Sequence, residues 1–301
     1  MSESRPMTAS IEALRQAAGP AEEHPLRAVL RRYWRNKLAV LGAGIILLML
    51  VVTLTADWLA PHPATRMNMT KRLAPPSAEF WLGTDEFGRD IYSRIIYGTV
   101  ISFQVGVIAV GIALTAGTAL GLMAGYRGGG FDSVIMRTMD IIFAFPAVLL
   151  AIAIIGVMGS SLANVMIAIG IVNVPVFARL VRGSVLAVKE MPYTEAARAL
   201  GAGDLRIVLQ HILPNVGAPL IVQASLGFAF AVLTEANLSF LGLGNKPPSP
   251  SWGAMLNTAY GLMQNAPWAA IFPGLAISLA VTGFNLVGDG LRDALDPRLK
   301  R

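Results

Sequence analysis

The 301-residue chain is 54% hydrophobic and only 14% charged, whereas about 25% of the residues in a typical soluble domain are charged. A soluble protein of this composition would expose large apolar patches, so the composition predicts an integral membrane protein. The net charge of +6 does not indicate a nucleic-acid-binding protein, because the basic residues cluster at the ends of apolar runs. The absence of cysteine excludes disulfides and thiolate metal sites.

The chain begins with a polar tail, residues 1–37, in which no cleavable signal peptide is evident. The end of this tail, residues 27–37, is basic and contains Tyr33 and Trp34. Aromatic and basic side chains together favour a short helix at the membrane interface.

Six later stretches are apolar and long enough to cross a bilayer, since a spanning helix needs about 20 mostly apolar residues. In chain order they are residues 38–56, 99–124, 141–158, 162–178, 216–233 and 268–287. The first span and its following loop form a unit over residues 38–98, and the other five spans form a second unit over residues 99–301. The chain is therefore predicted to be an all-α, polytopic membrane protein with six transmembrane helices.

The distribution of basic residues predicts the orientation. Eighteen of the 24 Lys and Arg residues lie in the two termini and in residues 125–140 and 179–215, which six spans place on one side. Positively charged loops remain in the cytoplasm, so both termini and the loop over residues 183–215 are predicted to be cytoplasmic. Residues 57–98 and 234–267 are then external and are expected to cover the outer mouth.

Two features of the spans are distinctive. Gly117, Gly121 and Gly125 recur at every fourth position, which predicts close helix packing in the membrane. Charged residues are nearly absent from the spans, but Glu235 lies in an apolar run near the expected outer mouth. An intramembrane charge is costly, so Glu235 is expected either to bond within the protein or to contact the transport pathway or a second subunit.

The cytoplasmic loop is predicted to be a helix-turn-helix. Pro192 begins a first helix, and the glycines from Gly201 onward end it, because glycine adopts backbone angles that other residues disfavour. Asp204 is a good N-cap for a second helix, which Pro214 is expected to close before the fifth span. Alanines keep one face of the first helix small, so another protein could approach it closely.

The residues of this loop resemble the coupling-loop motif of binding-protein-dependent ABC importer permeases. The matching residues are Glu195, Ala196, Ala197, Gly201, Leu213 and Pro214. His211 stands where the general pattern has isoleucine, as is usual in the peptide-importer branch. Residues 82–94, 235–244 and 285–298 also resemble segments of dipeptide and oligopeptide permeases, although Asn237 stands where serine is commoner.

The resemblance implies a type I importer fold, similar to the methionine-importer permease, with residues 99–301 as the permease core. It implies the second permease subunit of a peptide/nickel-type importer in a bacterial-type cell membrane. Short peptides would be the cargo, with nickel, glutathione or another small solute as alternatives. The implied partners are a homologous permease, two cytoplasmic ATPases, an extracytoplasmic substrate-binding protein and membrane lipid, but no nucleic acid.

The chain contains no G-x-x-x-x-G-K-[ST] sequence, so ATP and Mg²⁺ are expected on the ATPase subunits and no cofactor on this chain. A membrane-embedded enzyme is a weak alternative, because no H-E-x-x-H motif and no paired intramembrane aspartates occur. A stand-alone secondary transporter remains an alternative, although such carriers usually place charged relays within their spans.

Overall fold

The computed structural model describes residues 25–295, so the tail before residue 25 and the C-terminal motif beyond residue 295 lie outside the described residues. The described residues form helices and loops, with no strand among them, which confirms the all-α prediction. In chain order the main helices are α1 (Pro25–Arg35), α2 (Lys37–Leu54), α3 (Ile91–Arg127), α4 (Gly129–Phe143), α5 (Ala147–Met158), α6 (Leu162–Lys189), α7 (Pro192–Ala199), α8 (Asp204–Ile207), α9 (Leu213–Phe240), α10 (Trp252–Tyr260) and α11 (Trp268–Leu295).

Five helical stretches are long and apolar enough to cross a membrane: α2, α3, α6, the continuous stretch from α8 through α9, and α11. Helices α4 and α5 together make a sixth if they are counted as one span bent by 93°. The span predicted over residues 141–158 is therefore divided into two helices, and the first of them begins earlier, at Gly129. Pro146 lacks an N–H and disfavours helical geometry in Phe145, so α4 ends before it and α5 begins after it.

Helix α3 begins earlier than the apolar run suggested, at Ile91 instead of Thr99. The carboxylate of Asp90 caps the helix by accepting a hydrogen bond from the backbone N–H of Ser93 at 3.0 Å. The boundary expected between residues 98 and 99 thus falls within α3, whose first two turns include the polar residues Ser93 and Arg94, both buried by contacts with the neighbouring loops.

Helices α3 and α6 pack against each other along the glycine stripe. A Cβ added to Gly117 would lie 2.5 Å from the Cβ of Phe177, and one added to Gly121 would lie 2.6 Å from the carbonyl oxygen of Ala178. These distances are too short for any side chain larger than hydrogen. The predicted close packing is confirmed, and the stripe places α6 firmly against the centre of the bundle.

Aromatic rings join α3 to α9 and α11. The ring of Phe228 stacks on Phe284 with centroids 4.5 Å apart, and Phe103 meets Phe228 edge-on at 5.9 Å. Such pairs add to the burial of apolar area. Helix α2 joins this group through Gly42, where an added Cβ would lie 2.7 Å from the Cβ of Leu286.

The two segments expected outside the membrane meet at a buried arginine. The guanidinium of Arg94 donates hydrogen bonds to the carbonyl oxygens of Ala64 at 3.0 Å and Pro248 at 3.2 Å. Arg89 forms a buried ion pair with Asp85 at 2.6 Å beside it. A buried charge is stable only when it is paired and hydrogen-bonded, so these contacts hold the two segments in one fixed cover.

At the other end of the bundle, the basic stretch expected as an interfacial helix forms α1. Asn36 then caps α2, because its side-chain oxygen accepts from the backbone N–H groups of Leu38 and Ala39. Trp34 is largely exposed, as expected for a side chain at the level of lipid headgroups.

Candidate functional site: the α7–α8 elbow

The segment between α6 and α9 is a protruding helical elbow, residues 192–212, called the elbow below. Helix α7 begins with Pro192, which needs no N–H partner in the first turn. Thr194 is fully buried, and its hydroxyl donates to the carbonyl oxygen of Val188 at 3.0 Å in the last turn of α6. The first helix of the elbow is thereby attached to the end of a span.

Helix α7 ends in a Schellman motif centred on Gly201. The N–H of Ala202 donates to the carbonyl of Ala197, and the N–H of Gly201 donates to that of Arg198, each at 3.0 Å. Gly201 has a φ of +82°, which side-chain-bearing residues rarely adopt. The predicted role of this glycine as a helix breaker is confirmed, and the motif sets the angle between the two arms of the elbow.

The second arm departs from the sequence-based prediction at its start. The N-cap of α8 is Gly203, and Asp204 is the first helical residue. The Asp204 carboxylate instead accepts a hydrogen bond from the hydroxyl of Tyr126 at 2.6 Å, at the end of α3. The ammonium of Lys189 donates a hydrogen bond to the backbone carbonyl oxygen of Tyr126 at 3.2 Å. The elbow is thus joined to α3 as well as to α6.

The second arm also does not end at Pro214, so the expectation that this proline closes the helix is wrong. A π-helical segment, Val208–Ile212, leads without interruption into α9, and Pro214 occupies the first turn of that helix. A π-helical stretch shifts backbone hydrogen bonds by one residue, which accommodates a residue without an N–H. Leu213 and Pro214 therefore lie where the elbow becomes a spanning helix.

The elbow has one buried and one exposed side. Ile207 and Ile212 are fully buried in the main hydrophobic core. On the other side, Leu200 is 89% exposed and Leu205 is 73% exposed, and Tyr193 is also open. Large apolar side chains clustered on an otherwise polar protrusion indicate a protein-docking surface.

The predicted motif residues lie on both sides of this surface. Glu195 and Ala196 are exposed on α7, and Gly201 and Asp204 are exposed at the bend. Ala197 is half-buried and supplies a carbonyl to the Schellman motif. A partner that docks here meets a carboxylate, a small alanine surface and two leucines, and any force on them passes directly to α6 and α9.

Two ion pairs join α4 to α6, the helix that ends at the elbow. Arg182 makes a bidentate pair with Asp132 at 2.5 and 2.6 Å. Arg179 pairs with Asp140 at 2.9 Å, and its guanidinium lies 4.2 Å from the centre of the Phe143 ring. Bidentate arginine–carboxylate pairs are geometrically specific, so these contacts fix α4 against α6.

Glu235 lies away from the elbow, at the far end of α9. Its side chain is 1% exposed, and Oε1 accepts hydrogen bonds from the hydroxyls of Ser239 at 2.5 Å and Ser251 at 3.0 Å. Ser251 is the N-cap of α10. In this structure Glu235 joins α10 to α9 and has no open surface at which a passing cation or a second subunit could reach it.

Tyr126 and Lys189 are functional candidates that the sequence reasoning did not find. Tyr126 precedes Asp204 by 78 residues, and no local pattern predicts contact over that separation. One signal could have found them: Tyr126 and Lys189 both lie at the predicted cytoplasmic ends of spans, α3 and α6, that are expected to pack together. Among residues 25–295, no group of three or more acidic or histidine side chains could hold a metal ion.

Comparison with known proteins gives the context for this geometry. Residues 117–301 match the family described as "Binding-protein-dependent transport system inner membrane component". Residues 24–76 match "N-terminal TM domain of oligopeptide transport permease C". The first match covers all of the elbow and the spans α6 and α9 into which it continues.

Two curated relatives match nearly the whole chain. The dipeptide transport system permease protein DppC of Alkalihalophilus pseudofirmus is 51% identical over 92% of this chain and 91% of its own length. The glutathione transport system permease protein GsiD of Pectobacterium atrosepticum is 49% identical over 92% of each chain.

A solved structure supports the fold. A crystal structure of an amino acid ABC transporter with histidines superposes with a TM-score of 0.51 at 15% identity, covering 65% of this chain and 91% of that one. At that identity the likeness concerns the fold alone, and it confirms the type I importer architecture. With these matches the chain belongs to the binding-protein-dependent transport system inner membrane components, the multi-pass membrane permease subunits of ABC importers.

Proposed function

We propose that this chain forms half of the translocation pathway of an ATP-driven importer of short peptides, with a homologous permease as the other half. The observation that carries the proposal is the elbow. It presents Glu195, Leu200 and Leu205 to solvent, while its two ends continue into the spans α6 and α9. A surface of this kind is suited to receive mechanical work from another protein.

The work is supplied by ATP hydrolysis on two cytoplasmic ATPase subunits, which hold the nucleotide and Mg²⁺. Closure of the ATPase pair moves the elbow, and α6 and α9 tilt between inward-open and outward-open arrangements. ATP can drive this change only because the two arrangements differ in their affinity for it. An extracytoplasmic substrate-binding protein delivers the cargo to the outer cover formed around Arg94.

The distribution of basic residues supports an orientation with both termini and the elbow in the cytoplasm of a bacterial-type inner membrane. The natural absence of cysteine makes this orientation easy to test. A Leu200→Cys variant in right-side-out vesicles should resist a membrane-impermeant thiol reagent, and inverted vesicles should be labelled. Labelling from the external side would refute the proposed orientation and with it the docking of a cytoplasmic ATPase.

Short peptides are the first choice of cargo because a relative at 51% identity is named as a dipeptide permease. Glutathione is the second candidate, because a relative at 49% identity is named as a glutathione permease. Proteoliposomes containing both permeases and both ATPases, supplied with loaded receptor, should accumulate labelled alanyl-alanine only in the presence of ATP. Uptake driven by an ion gradient without ATP or ATPases would refute the proposal in favour of a secondary transporter.

A further inference from the structure

Two side-chain amides line a cavity near the middle of two spans. The cavity has a volume of ≈ 550 Å³ and lies between the α4–α5 break, α6 and α9. Asn173 lies near the middle of α6, and Gln223 lies near the middle of the continuous stretch from α8 through α9. The volume falls within the range of about 300–1,000 Å³ that is usual for small-molecule sites.

Both amides retain free hydrogen-bonding capacity. Asn173 donates from Nδ2 to the carbonyl oxygen of Ile169 at 2.9 Å, which leaves its Oδ1 free to accept. Within residues 25–295 the side chain of Gln223 has no hydrogen-bond partner at all. An unpaired amide facing hydrocarbon is costly, so these side chains are stable at this depth only beside water or a polar ligand.

The remainder of the lining determines which part of a ligand can be recognised here. Phe143, Phe145 and Phe230 contribute to an otherwise apolar wall, and none of the residues that line the cavity is charged. A second cavity of ≈ 430 Å³ shares Gln223 and extends to Arg292 in the last turns of α11. The charged termini of a peptide therefore have no oppositely charged side chain at the amide pair, whereas the uncharged peptide group can form hydrogen bonds with both amides.

We propose that Asn173 and Gln223 form a binding site for the peptide group of the cargo within the pathway. This inference rests on the proposed function and deepens it. The Asn173 Oδ1 accepts from the peptide N–H, and the Gln223 Nε2 donates to the peptide carbonyl. A dipeptide and glutathione share this group, whatever their side chains. The site is therefore selective for the backbone and tolerant of side chains, and the apolar walls accommodate different residues.

Near-isosteric apolar variants test the site by transport. The double variant Asn173→Leu with Gln223→Met lacks both amides and should lower the initial rate of alanyl-alanine uptake by about tenfold. A change of this size corresponds to the loss of one to two net hydrogen bonds. Receptor-stimulated ATP hydrolysis should persist, because the elbow is unchanged. Thr115→Val is the control, since Thr115 is an exposed polar residue of α3 outside this cavity and its hydroxyl already donates to the carbonyl oxygen of Gly111 at 2.8 Å, so its loss should leave uptake unchanged. Gln223→Asn, which keeps an amide, should restore part of the rate.

Cysteine labelling provides a readout that does not depend on transport. Gln223→Cys should react with a charged, water-soluble thiol reagent, and saturating alanyl-alanine or S-methylglutathione should slow the reaction severalfold. Leu48→Cys, on the exposed face of the apolar span α2, should not be labelled. A Gln223→Cys variant that resists the reagent, or that reacts equally fast with and without peptide, would overturn the site.

The outcomes separate the two proposals. If the wild-type complex takes up neither alanyl-alanine nor glutathione with ATP, the proposed function fails and the peptide-group site fails with it. If the wild type transports normally and the double variant matches it, the peptide-group site alone is refuted.

Discussion

Replacing Gly201 by alanine should weaken the coupling of ATP hydrolysis to the loaded receptor, because the turn of the elbow requires a left-handed residue. The φ of Gly201 is +82°, and an added Cβ would have no atom within 4 Å. The substitution therefore introduces backbone strain without a clash. A left-handed conformation costs a residue with a Cβ roughly 1–2 kcal/mol.

This backbone strain acts on the Schellman motif that ends α7. Opening the turn releases the hydrogen bonds from Ala202 to Ala197 and from Gly201 to Arg198, and the two arms of the elbow lose their fixed angle. A strain of about 1–2 kcal/mol lowers the population of the native turn relative to open forms by about 5–30-fold. Receptor-stimulated ATP hydrolysis and uptake in proteoliposomes should fall together, while the amount of inserted protein stays the same.

Two further variants isolate the cause. Gly201→Asn should retain most of the activity, because asparagine tolerates left-handed geometry better than alanine. Gly203→Ser adds a side chain two residues away, where φ is −69°, nothing lies within 4 Å and serine is favoured as the N-cap of α8, so it should have little effect. Normal coupling in Gly201→Ala would refute the reasoning. Equal losses in Gly201→Ala and Gly203→Ser would show that surface bulk, and not backbone strain, is responsible.

The remaining predictions concern the elbow charge, an ion pair and the glycine stripe. Glu195→Gln should reduce receptor-stimulated ATP hydrolysis roughly tenfold, as expected for a lost charged contact of about 1.5 kcal/mol, without changing thermal stability in detergent; unchanged stimulation would argue against docking at Glu195. Asp132→Asn should destabilise the protein by about 1–2 kcal/mol because it removes the charge paired with Arg182; partial solvent screening keeps the loss at this modest size. The charge-reversed double variant Asp132→Arg with Arg182→Asp should recover most of the loss. Failure of the reversal to recover stability would show that the pair itself does not join α4 to α6. Gly121→Ala should lower thermal stability by about 1–3 kcal/mol because its Cβ would meet the backbone of α6, whereas Gly111→Ala on the same helix meets nothing within 4 Å and should be neutral.

Much of the architecture could be predicted from local patterns. Apolar runs predicted six spans, and five helices together with one bent pair are present. The boundaries were less predictable. Helix α3 starts at Ile91 because Asp90 caps it and the neighbouring loops bury Ser93 and Arg94 in its first turn, which hydrophobicity alone does not indicate. Pro146 is a possible helix breaker from the sequence, but spanning helices often retain a proline, as α6 does at Pro175, so the sequence does not tell which proline divides a span.

The functional elbow was predictable in outline for a different reason. Its composition interrupts two apolar runs, and Gly201 has the same conformational role in any context. The hydrogen-bond partner of Asp204 was not predictable. Asp204 was suited to cap a helix, but the hydroxyl of Tyr126 lies within 2.6 Å and the carboxylate bonds to it instead.

The amino-acid sequence by itself therefore determined that this protein lies in a membrane, which segments cross it and where a docking loop interrupts them. These properties follow from hydrophobicity and backbone preferences, which act within one or two helical turns. Only the tertiary structure decided that Glu235 is enclosed between two serines and that Asn173 and Gln223 face one cavity. Such partners come together across tens of residues, because helix packing sets the distance between polar side chains.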